Sequence, residues 1–385
     1  MIVSYDYQIF EHQIYGGISR YFYELIKGLE QHPDVSYSLP LKQSSNHYIK
    51  RIPSIANGIK SGSDYYNQFL FGTEFRGKWT LFQRWNQLFP QAVTANRRHA
   101  IEVFKSGAFD IFHPTDLSDY FLDYIGNKPF VVTIHDMIDE YFPEYSFHVH
   151  SNYQTSVKEN LIKKAAGIIA VSESTKRDIL HRFNVDEKKI KVIYHGVSEL
   201  EDQHTDSRLI VDNYFLYVGK RAHYKNFYFF LQCIQSLLTK DRSLKIVCAG
   251  PPFNKIESTY FNDLGIVENL IHVDADDRVL GNLYQHALAF VYPSLYEGFG
   301  IPILEAFKFG CPVILSNSSS LPEVAGDAGI YFTPKDIGSV RQAVQLVMRD
   351  KALRTEIIQK GYARLQNFPL KKMVDQTVAF YKSIA

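Results

Sequence analysis

Short apolar runs alternate with helical patterns through most of this 385-residue chain, and this alternation restricts its fold more than any other feature. Runs such as MIVSYD and PFVVTIHD have the length of strands, and amphipathic patterns such as GGISRYFYELIKGLEQ lie between them. Such alternation is typical of parallel sheets with helices on both faces, which bind ligands beyond the carboxyl ends of their strands. In the first half, the residues at such strand ends are Gly16, Gly17, His113, His135, Asp136, Ser172 and His195.

A polar run divides the alternating pattern into two series. Residues 198–213, SELEDQHTDSRLIVDN, show no sustained periodicity and are interpreted as a linker. A chain of this length favours two domains, so we predict two doubly wound α/β domains. The predicted boundaries are 1–197 for the first domain, 214–367 for the second and 368–385 for a final helix.

Composition and charge exclude several classes of protein. The 42 basic and 41 acidic residues leave a net charge of +1, so no overall field attracts nucleic acid. The start, MIVSYDYQIF, has no basic segment followed by a long apolar one, and no run of about 18 apolar residues is present. The three scattered cysteines favour a reducing compartment. We therefore expect a cytoplasmic protein.

The segment from about residue 39 to 105 differs from the rest of the first domain, because it is rich in aromatic and basic residues and poor in strand signals. Its patterns predict helices that contact an acceptor or a membrane surface, and the alternative is ordinary packing on the first domain. The residues in question are Trp79, Phe82, Trp85 and Phe89, with Arg76, Lys78, Arg84, Arg97 and Arg98.

The stretch SLYEGFGIPILEAFKFGCPVI, residues 294–314, places two carboxylates around the start of a predicted helix. Pro302 suits the first helical turn, with Glu297 before it and Glu305 inside the helix. A helix N-terminus favours anions such as phosphate, whereas carboxylates accept hydrogen bonds from donors such as sugar hydroxyls. The combination suggests a nucleotide-sugar. The alternative is that Glu297 is a solvated loop acid and Glu305 a favourable charge in a first helical turn.

Two further strand ends carry candidate site residues. In YVGKRAHYKNF, Arg221 and Lys225 could hold a pyrophosphate, with Lys220 as a competitor, although a solvated basic turn is the alternative. His135 ends the run TIHD, where it could hydrogen-bond a reacting sugar or be purely structural. Adjacent residues of a strand point to opposite faces, so Asp136 is not expected to form a catalytic dyad with it.

Several cofactor-binding patterns are absent or rejected. Asp274 and Asp276 in VDADD are interpreted as helix-capping residues, because no nearby His or further acid completes a metal shell. The sequence contains no GxGxxG, no GxxxxGK[ST] and no GxSxG. Dinucleotide, P-loop and α/β-hydrolase functions therefore lose their main support.

Over nearly its whole length, the chain resembles the retaining nucleotide-sugar glycosyltransferases of family 4. The resemblance is strongest from YVGKRAHYKNF to SLPEVAGDAGIYF, where YEGFGIPILEA lies downstream of the basic turn. The first half adds YGGISRYFYEL and VVTIHDMIDEYFPE. The resemblance implies a GT-B fold, in which two Rossmann-like domains face a central cleft and the C-terminal helix crosses back to the first domain. The first domain would then lie on the acceptor side and the second would bind the nucleotide-sugar.

The resemblance also implies roles for individual residues. Glu305 would bind the ribose hydroxyls, Glu297 would face the donor sugar, and His135 would hydrogen-bond the transferring sugar. Backbone groups would contact sugar and phosphate at the two glycine turns. The implied catalytic residues are His135, Glu297, Arg221 and Lys225, and the implied donor-binding residues are Gly16, Gly17, Phe299, Gly300, Ile301 and Glu305. The arginine lies one place later than is common in the family, so the choice between Lys220 and Arg221 stays open.

The expected function is retaining, metal-independent transfer of a hexose from a nucleoside-diphosphate sugar, without a cofactor. GDP-mannose is the first donor expectation and a UDP-hexose the second. The acceptor would be a glycan or lipid-linked glycan of bacterial surface polysaccharide, such as O-antigen, with peripheral contact at the inner face of the membrane. The alternatives are a GT-B nucleotide-sugar epimerase, which needs no acceptor, and a non-catalytic nucleotide-sugar-binding subunit.

Overall fold

A computed structural model describes residues 1–56, 58–61, 81, 95–145, 151–197, 207–221 and 223–385. Its strands lie mainly in two parallel sheets that match the two predicted series. The strands are β1 (Ile2–Tyr5), β2 (Ser36–Ser38), β3 (Gln43–Ser44), β4 (Lys60–Ser61), β5 (Ile111–His113), β6 (Val131–Ile134), β7 (Gly167–Ala170), β8 (Ile190–Val192), β9 (Tyr214–Val218), β10 (Lys245–Ala249), β11 (Leu270–Val273), β12 (Ala289–Tyr292), β13 (Val313–Ser316) and β14 (Gly329–Phe332).

The helices lie between these strands, as the alternating pattern predicts. They are α1 (Gln8–His12), α2 (Gly17–Leu29), α3 (Pro53–Ala56), α4 (Ala95–Ser106), α5 (Ile138–Tyr141), α6 (Ser151–Lys164), α7 (Glu173–Arg182), α8 (Phe227–Lys240), α9 (Lys255–Asp263), α10 (Asp277–His286), α11 (Ile301–Lys308), α12 (Leu321–Ala325), α13 (Ile337–Arg349), α14 (Lys351–Leu365) and α15 (Leu370–Lys382). Among the described helices, none is long and apolar enough to cross a membrane.

The first sheet consists of two three-stranded parts with the orders β2-β1-β5 and β6-β7-β8. A parallel bridge between Phe112 and Phe130 connects them. Strand β1 pairs in parallel with β2 on one side and β5 on the other, so the direction of winding reverses at β1. The loops that follow β1 and β5 therefore meet at the carboxyl edge of the sheet, where ligands of such folds bind.

The second sheet has six parallel strands in the order β11-β10-β9-β12-β13-β14. The chain runs outward from β9 to β11 and then returns to place β12 beside β9, with Phe290 opposite Leu216. This reversal brings together the loops after β9 and β12, which carry the basic turn and the first carboxylate of the sequence prediction.

The C-terminal helix α15 belongs to the hydrophobic core of the first half. Its residues Met373, Val374 and Val378 are buried within the cluster that contains the strands of the first sheet. Tyr381 adds a buried polar contact, because its hydroxyl lies 2.5 Å from His113 Nδ1 and 3.1 Å from the Tyr5 hydroxyl. The prediction that the final helix crosses back to the first domain is confirmed.

Part of the predicted organisation lies outside the described residues. This holds for linker residues 198–206 and for most of the aromatic and basic segment, including both of its tryptophans. The described part of that segment forms the short parallel pair β3 and β4 and the helix α4. The exact domain boundaries and the role of the segment therefore stay predictions.

Candidate active site

The loops after β9 and β12 meet through a buried ion pair between two predicted site residues. Lys225 Nζ donates to Glu297 Oε1 at 2.6 Å, and the glutamate is only 7% exposed. The ammonium also lies 5.1 Å and 5.4 Å from the ring centroids of Tyr224 and Tyr292. Glu297 is therefore not the solvated loop acid of the alternative interpretation.

Arg221 is directed to a different set of partners. Its Nε donates to Glu257 Oε1 at 2.5 Å and its Nη2 to Glu257 Oε2 at 3.1 Å. The same Nη2 donates to the carbonyls of Pro251 and Pro252, and the side chain is 3% exposed. Burial alone would raise the pKa of Glu257, but the hydrogen bond from Arg221 holds it below its usual value.

This ion pair gives Arg221 a partner that the sequence prediction did not include. The prediction placed Arg221 beside Lys225 at a pyrophosphate, whereas the structure gives its guanidinium a bidentate carboxylate partner. The partner, Glu257, caps the start of helix α9, which nothing in the basic turn itself could indicate. Lys220, the competing residue, has an exposed side chain. Which of the two binds pyrophosphate stays a prediction.

Glu305 faces the first half of the chain across the cleft. Its Oε1 accepts a short hydrogen bond from Arg20 Nη1, and its Oε2 accepts one from the Tyr284 hydroxyl at 3.1 Å. Arg20 lies in the first turn of helix α2, three residues after Gly17. The sequence analysis missed Arg20, although its spacing from Gly16 and Gly17 places it on the same helical face, which was the available signal.

The two glycine turns approach each other at the cleft. A Cβ atom on Gly17, the first residue of helix α2, would lie 3.8 Å from Ile301 Cδ1 at the start of helix α11. Gly300 has φ of +100°, a conformation that favours glycine. No hydrogen bond between described residues uses the backbone N–H groups of Phe299, Gly300 or Ile301. These groups are therefore available to an anion at the helix end.

His135 lies at the carboxyl end of β6 and contacts the second half through its backbone. A Cβ atom on Gly298 would come within 1.7 Å of the His135 carbonyl oxygen, so only glycine fits there. The imidazole stacks on His195 with 5.8 Å between centroids, and its buried Nε2 has no hydrogen-bond partner among the described residues. Burial lowers the pKa of His135 to about 4, so the ring is neutral at physiological pH.

Additional hydrogen bonds cross the cleft beside His135. The Gly298 carbonyl accepts from the hydroxyls of Ser172 at 2.7 Å and Thr175 at 3.0 Å. The Glu323 carboxylate accepts from the backbone N–H groups of Glu173 and Ser174 at the start of helix α7. Because several independent bonds connect the two halves, the structure represents a closed arrangement of the cleft.

In the acidic run after β11, one of the two predicted capping residues is confirmed. Asp276 caps helix α10, since its Oδ1 accepts from the Val279 N–H at 2.8 Å. Within the part of the chain that the structure describes, no three His, Cys, Asp or Glu side chains are grouped to hold a metal ion. The two predicted carboxylates at the cleft, Glu297 and Glu305, each have a cationic partner.

Comparisons with known proteins show which family this chain is similar to. Residues 15–199 match the family described as Glycosyltransferase Family 4, and residues 201–364 match Glycosyl transferases group 1. O-antigen chain mannosyltransferase B of Escherichia coli is 28% identical over 95% of this chain and 96% of its own length. O-antigen chain mannosyltransferase RfbU of Salmonella typhimurium is 30% identical over 56% of this chain and 59% of its own.

Solved structures give the same result at the level of the fold. Anabaena HepE, in complex with UDP and glucose, has a TM-score of 0.74 at 14% identity and covers 100% of both chains. The two family models follow one another along almost the whole sequence, one for each half. They therefore support the two-domain fold independently of the structure. The chain belongs to the family 4 glycosyltransferases and has the GT-B fold.

Proposed function

We propose that this glycosyltransferase transfers a hexose from a nucleoside-diphosphate sugar to a glycan or lipid-linked glycan in polysaccharide biosynthesis. Mannose from GDP-mannose is the first donor candidate, because the two relatives described above are named O-antigen mannosyltransferases. A cytoplasmic location with peripheral contact at the inner face of the membrane is part of the proposal, since a lipid-linked acceptor would lie in that membrane.

The observation that carries the proposal is the pairing of the two predicted carboxylates, Glu297 and Glu305, with cations. Lys225 holds Glu297 and Arg20 holds Glu305, so both charges are neutralised in the closed arrangement. A bound nucleotide-sugar would replace these pairs with its own groups. Its hydroxyls would donate to the two carboxylates, and its phosphates would accept from Lys225, Arg20 and the backbone N–H groups at the start of helix α11.

We further propose that transfer retains the anomeric configuration. The acceptor hydroxyl oxygen would bond to the anomeric carbon on the face from which the diphosphate leaves. The bond from that carbon to the diphosphate oxygen would break with its electron pair, and the leaving phosphate would take the acceptor proton. Lys225 and the helix end would stabilise the developing negative charge. Neutral His135 would hydrogen-bond the sugar, for which its unpartnered Nε2 is suited.

A thermal-shift panel of nucleoside diphosphates and their sugars tests the donor assignment. We expect GDP-mannose at 100 times its Kd to add about 2.7 kcal/mol to the free energy of unfolding, with smaller effects from other nucleotide-sugars. Glu305→Gln should weaken donor binding by about 1.5 kcal/mol, or tenfold, because it removes a charged acceptor of ribose hydroxyls. The matched control is Glu268→Gln, at an exposed position of the same half. Stabilisation by none of the nucleotide-sugars would contradict the proposed function.

Metal independence gives a separate prediction. Transfer should continue at its full rate in excess EDTA, because Lys225, Arg20 and the start of helix α11 would supply the positive field that a divalent ion provides elsewhere. The measurement is initial transfer rate with EDTA, and then with added magnesium or manganese. Loss of transfer in EDTA that either metal restores would contradict metal independence and reopen the interpretation of Asp274 and Asp276.

A further inference from the structure

A cavity of about 620 Å³ lies in the first half of the chain, a volume typical of small-ligand sites. Its lining comes from the residues that follow β1, β5 and β6, together with the first turns of helix α2. His135 is one of the lining residues, and its carbonyl contacts Gly298 in the loop that carries Glu297. A ligand in the cavity would therefore lie beside the position proposed for the transferring sugar.

The charged groups of the cavity are mostly acidic. Three aspartates, Asp116, Asp136 and Asp139, line it, and the lining contains one lysine. That lysine, Lys158, is 3% exposed and donates to Glu140 Oε2 at 2.7 Å, which neutralises its charge. The cavity consequently repels anions and offers carboxylate oxygens to hydrogen-bond donors.

One of these carboxylates is oriented by a histidine. His12 Nδ1 lies 2.8 Å from Asp116 Oδ2 at the side of the cavity. Burial would raise the pKa of Asp116, but the hydrogen bond and charge of His12 lower it below its usual value. Asp116 is thus ionised at neutral pH, and its other oxygen, Oδ1, accepts a hydrogen bond from the Leu117 N–H at 2.8 Å.

A second kind of observation also points to a polar ligand. Gln8 lines the cavity and is 8% exposed, and its Oε1 has no hydrogen-bond partner within the described part of the chain. Buried polar atoms without partners are costly, and a hydroxyl of a ligand in the cavity could donate a hydrogen bond to this oxygen.

We infer that this cavity binds the acceptor and that it selects an uncharged sugar terminus through that sugar's hydroxyls. The inference rests on the proposed transfer and assigns the acceptor class. Hydroxyls would donate to Asp116 and Asp139, whereas a phosphate or uronate would face carboxylates, because the two cationic side chains of the lining, Lys158 and His12, are already paired with Glu140 and Asp116. The phosphates of a lipid carrier would therefore have to lie outside the cavity.

The inference changes the earlier prediction for the aromatic and basic segment. That prediction included Arg97 and Arg98 among residues that contact an acceptor or a membrane surface. In the structure, the Arg97 guanidinium lies 5.1 Å from the ring centroid of Tyr120, and Arg98 is exposed. Neither arginine lines the cavity. The acceptor's sugar end is thus assigned to the residues after β1, β5 and β6 instead of to this segment.

Acceptor kinetics test the inference. The full chain would be assayed with radiolabelled GDP-mannose and phenyl glycosides of mannose, glucose and N-acetylglucosamine, together with their 6-phosphates and phenyl glucuronide. We expect the best neutral glycoside to exceed its 6-phosphate at least tenfold in kcat/KM. Asp116→Asn should raise the KM for that neutral acceptor at least fivefold and leave the donor KM unchanged. The double variant Asp116→Asn/Asp139→Asn should reduce the preference over the 6-phosphate at least threefold.

The control is Asp123→Asn, an exposed aspartate outside the cavity, which should change neither KM. Equal use of neutral and anionic acceptors, an unchanged acceptor KM in Asp116→Asn, or transfer to none of the neutral glycosides would overturn the inference. The proposed function fails separately, and takes the inference with it, if the wild type neither binds a nucleotide-sugar nor releases nucleoside diphosphate from one.

Discussion

Replacing Lys225 with methionine is expected to lower the rate of sugar transfer about 10²–10³-fold, the usual cost of losing one preorganised group that stabilises transition-state charge. The Lys225 side chain is 17% exposed, and its ammonium lies near Glu297 and two tyrosine rings, so water cannot easily take its place. The measurement is kcat with saturating donor and acceptor. A change confined to the donor KM would contradict a role at the leaving group.

The control for this variant must separate lost charge from lost stability. Lys225→Met leaves Glu297 buried without its cation, which costs about 1–3 kcal/mol of folding free energy. The double variant Lys225→Met/Glu297→Gln removes both charges, so we expect its melting temperature to recover while transfer stays low. Lys240→Met, at the exposed end of helix α8, should leave both properties unchanged. Recovery of transfer in the double variant would show that Lys225→Met lowers transfer only by destabilising the protein.

The alternating pattern predicted the fold well because its apolar runs correspond to the buried strands. Parallel strands with helices on both faces are buried throughout, so their apolar runs are short and continuous. The strands β9 and β12 are fully or almost fully buried along their length. The contact between their loops was not visible in the sequence, but the strand-end rule selected Lys225, and the argument from carboxylates around a helix start selected Glu297. The structure then brings these two residues into contact.

The tertiary partners of the predicted residues could not be found in the same way. Arg20 is 285 positions from Glu305, and Glu257 is 36 positions from Arg221. Local sequence shows that a charge is present but contains no information about which distant charge it meets. Two arginines that look alike in the sequence therefore differ in the structure: Arg20 crosses the cleft, whereas Arg221 is held against helix α9.

The acceptor side shows a second reason for incomplete prediction. The cavity is formed by Gln8, Asp116 and Asp139, which follow three different strands and share no motif. Only their common position at the carboxyl edge of the first sheet connects them. The aromatic and basic segment was the more conspicuous feature of the sequence, because its composition is unusual. Its composition showed only that this segment differs from the rest of the first domain. The shape of the cavity depends instead on how β1, β5 and β6 are ordered in the sheet.

Gly298→Ala is expected to lower kcat/KM for transfer by about 10²-fold or more, because misplacement of reacting groups by about 1 Å already has an effect of that size. The added Cβ atom would come within 1.7 Å of the His135 carbonyl oxygen, and backbone atoms cannot move aside as a flexible side chain can. The two halves would then be unable to form the hydrogen bonds from Ser172 and Thr175 to the Gly298 carbonyl. The measurements are kcat/KM and the radius of gyration.

This variant should leave each half folded, because nearly all buried apolar residues of each half belong to clusters of that half, apart from Tyr296, Val171 and the C-terminal helix. We therefore expect a larger radius of gyration without loss of circular dichroism. Gly338→Ala is the matched control, since its Cβ atom would meet only the Asp336 side chain, at 3.2 Å. Wild-type kcat/KM in Gly298→Ala would mean that catalysis does not use the closed contact at His135. In that case the transferring sugar would have to be held by the second half alone, and the assignment of His135 to it would be wrong.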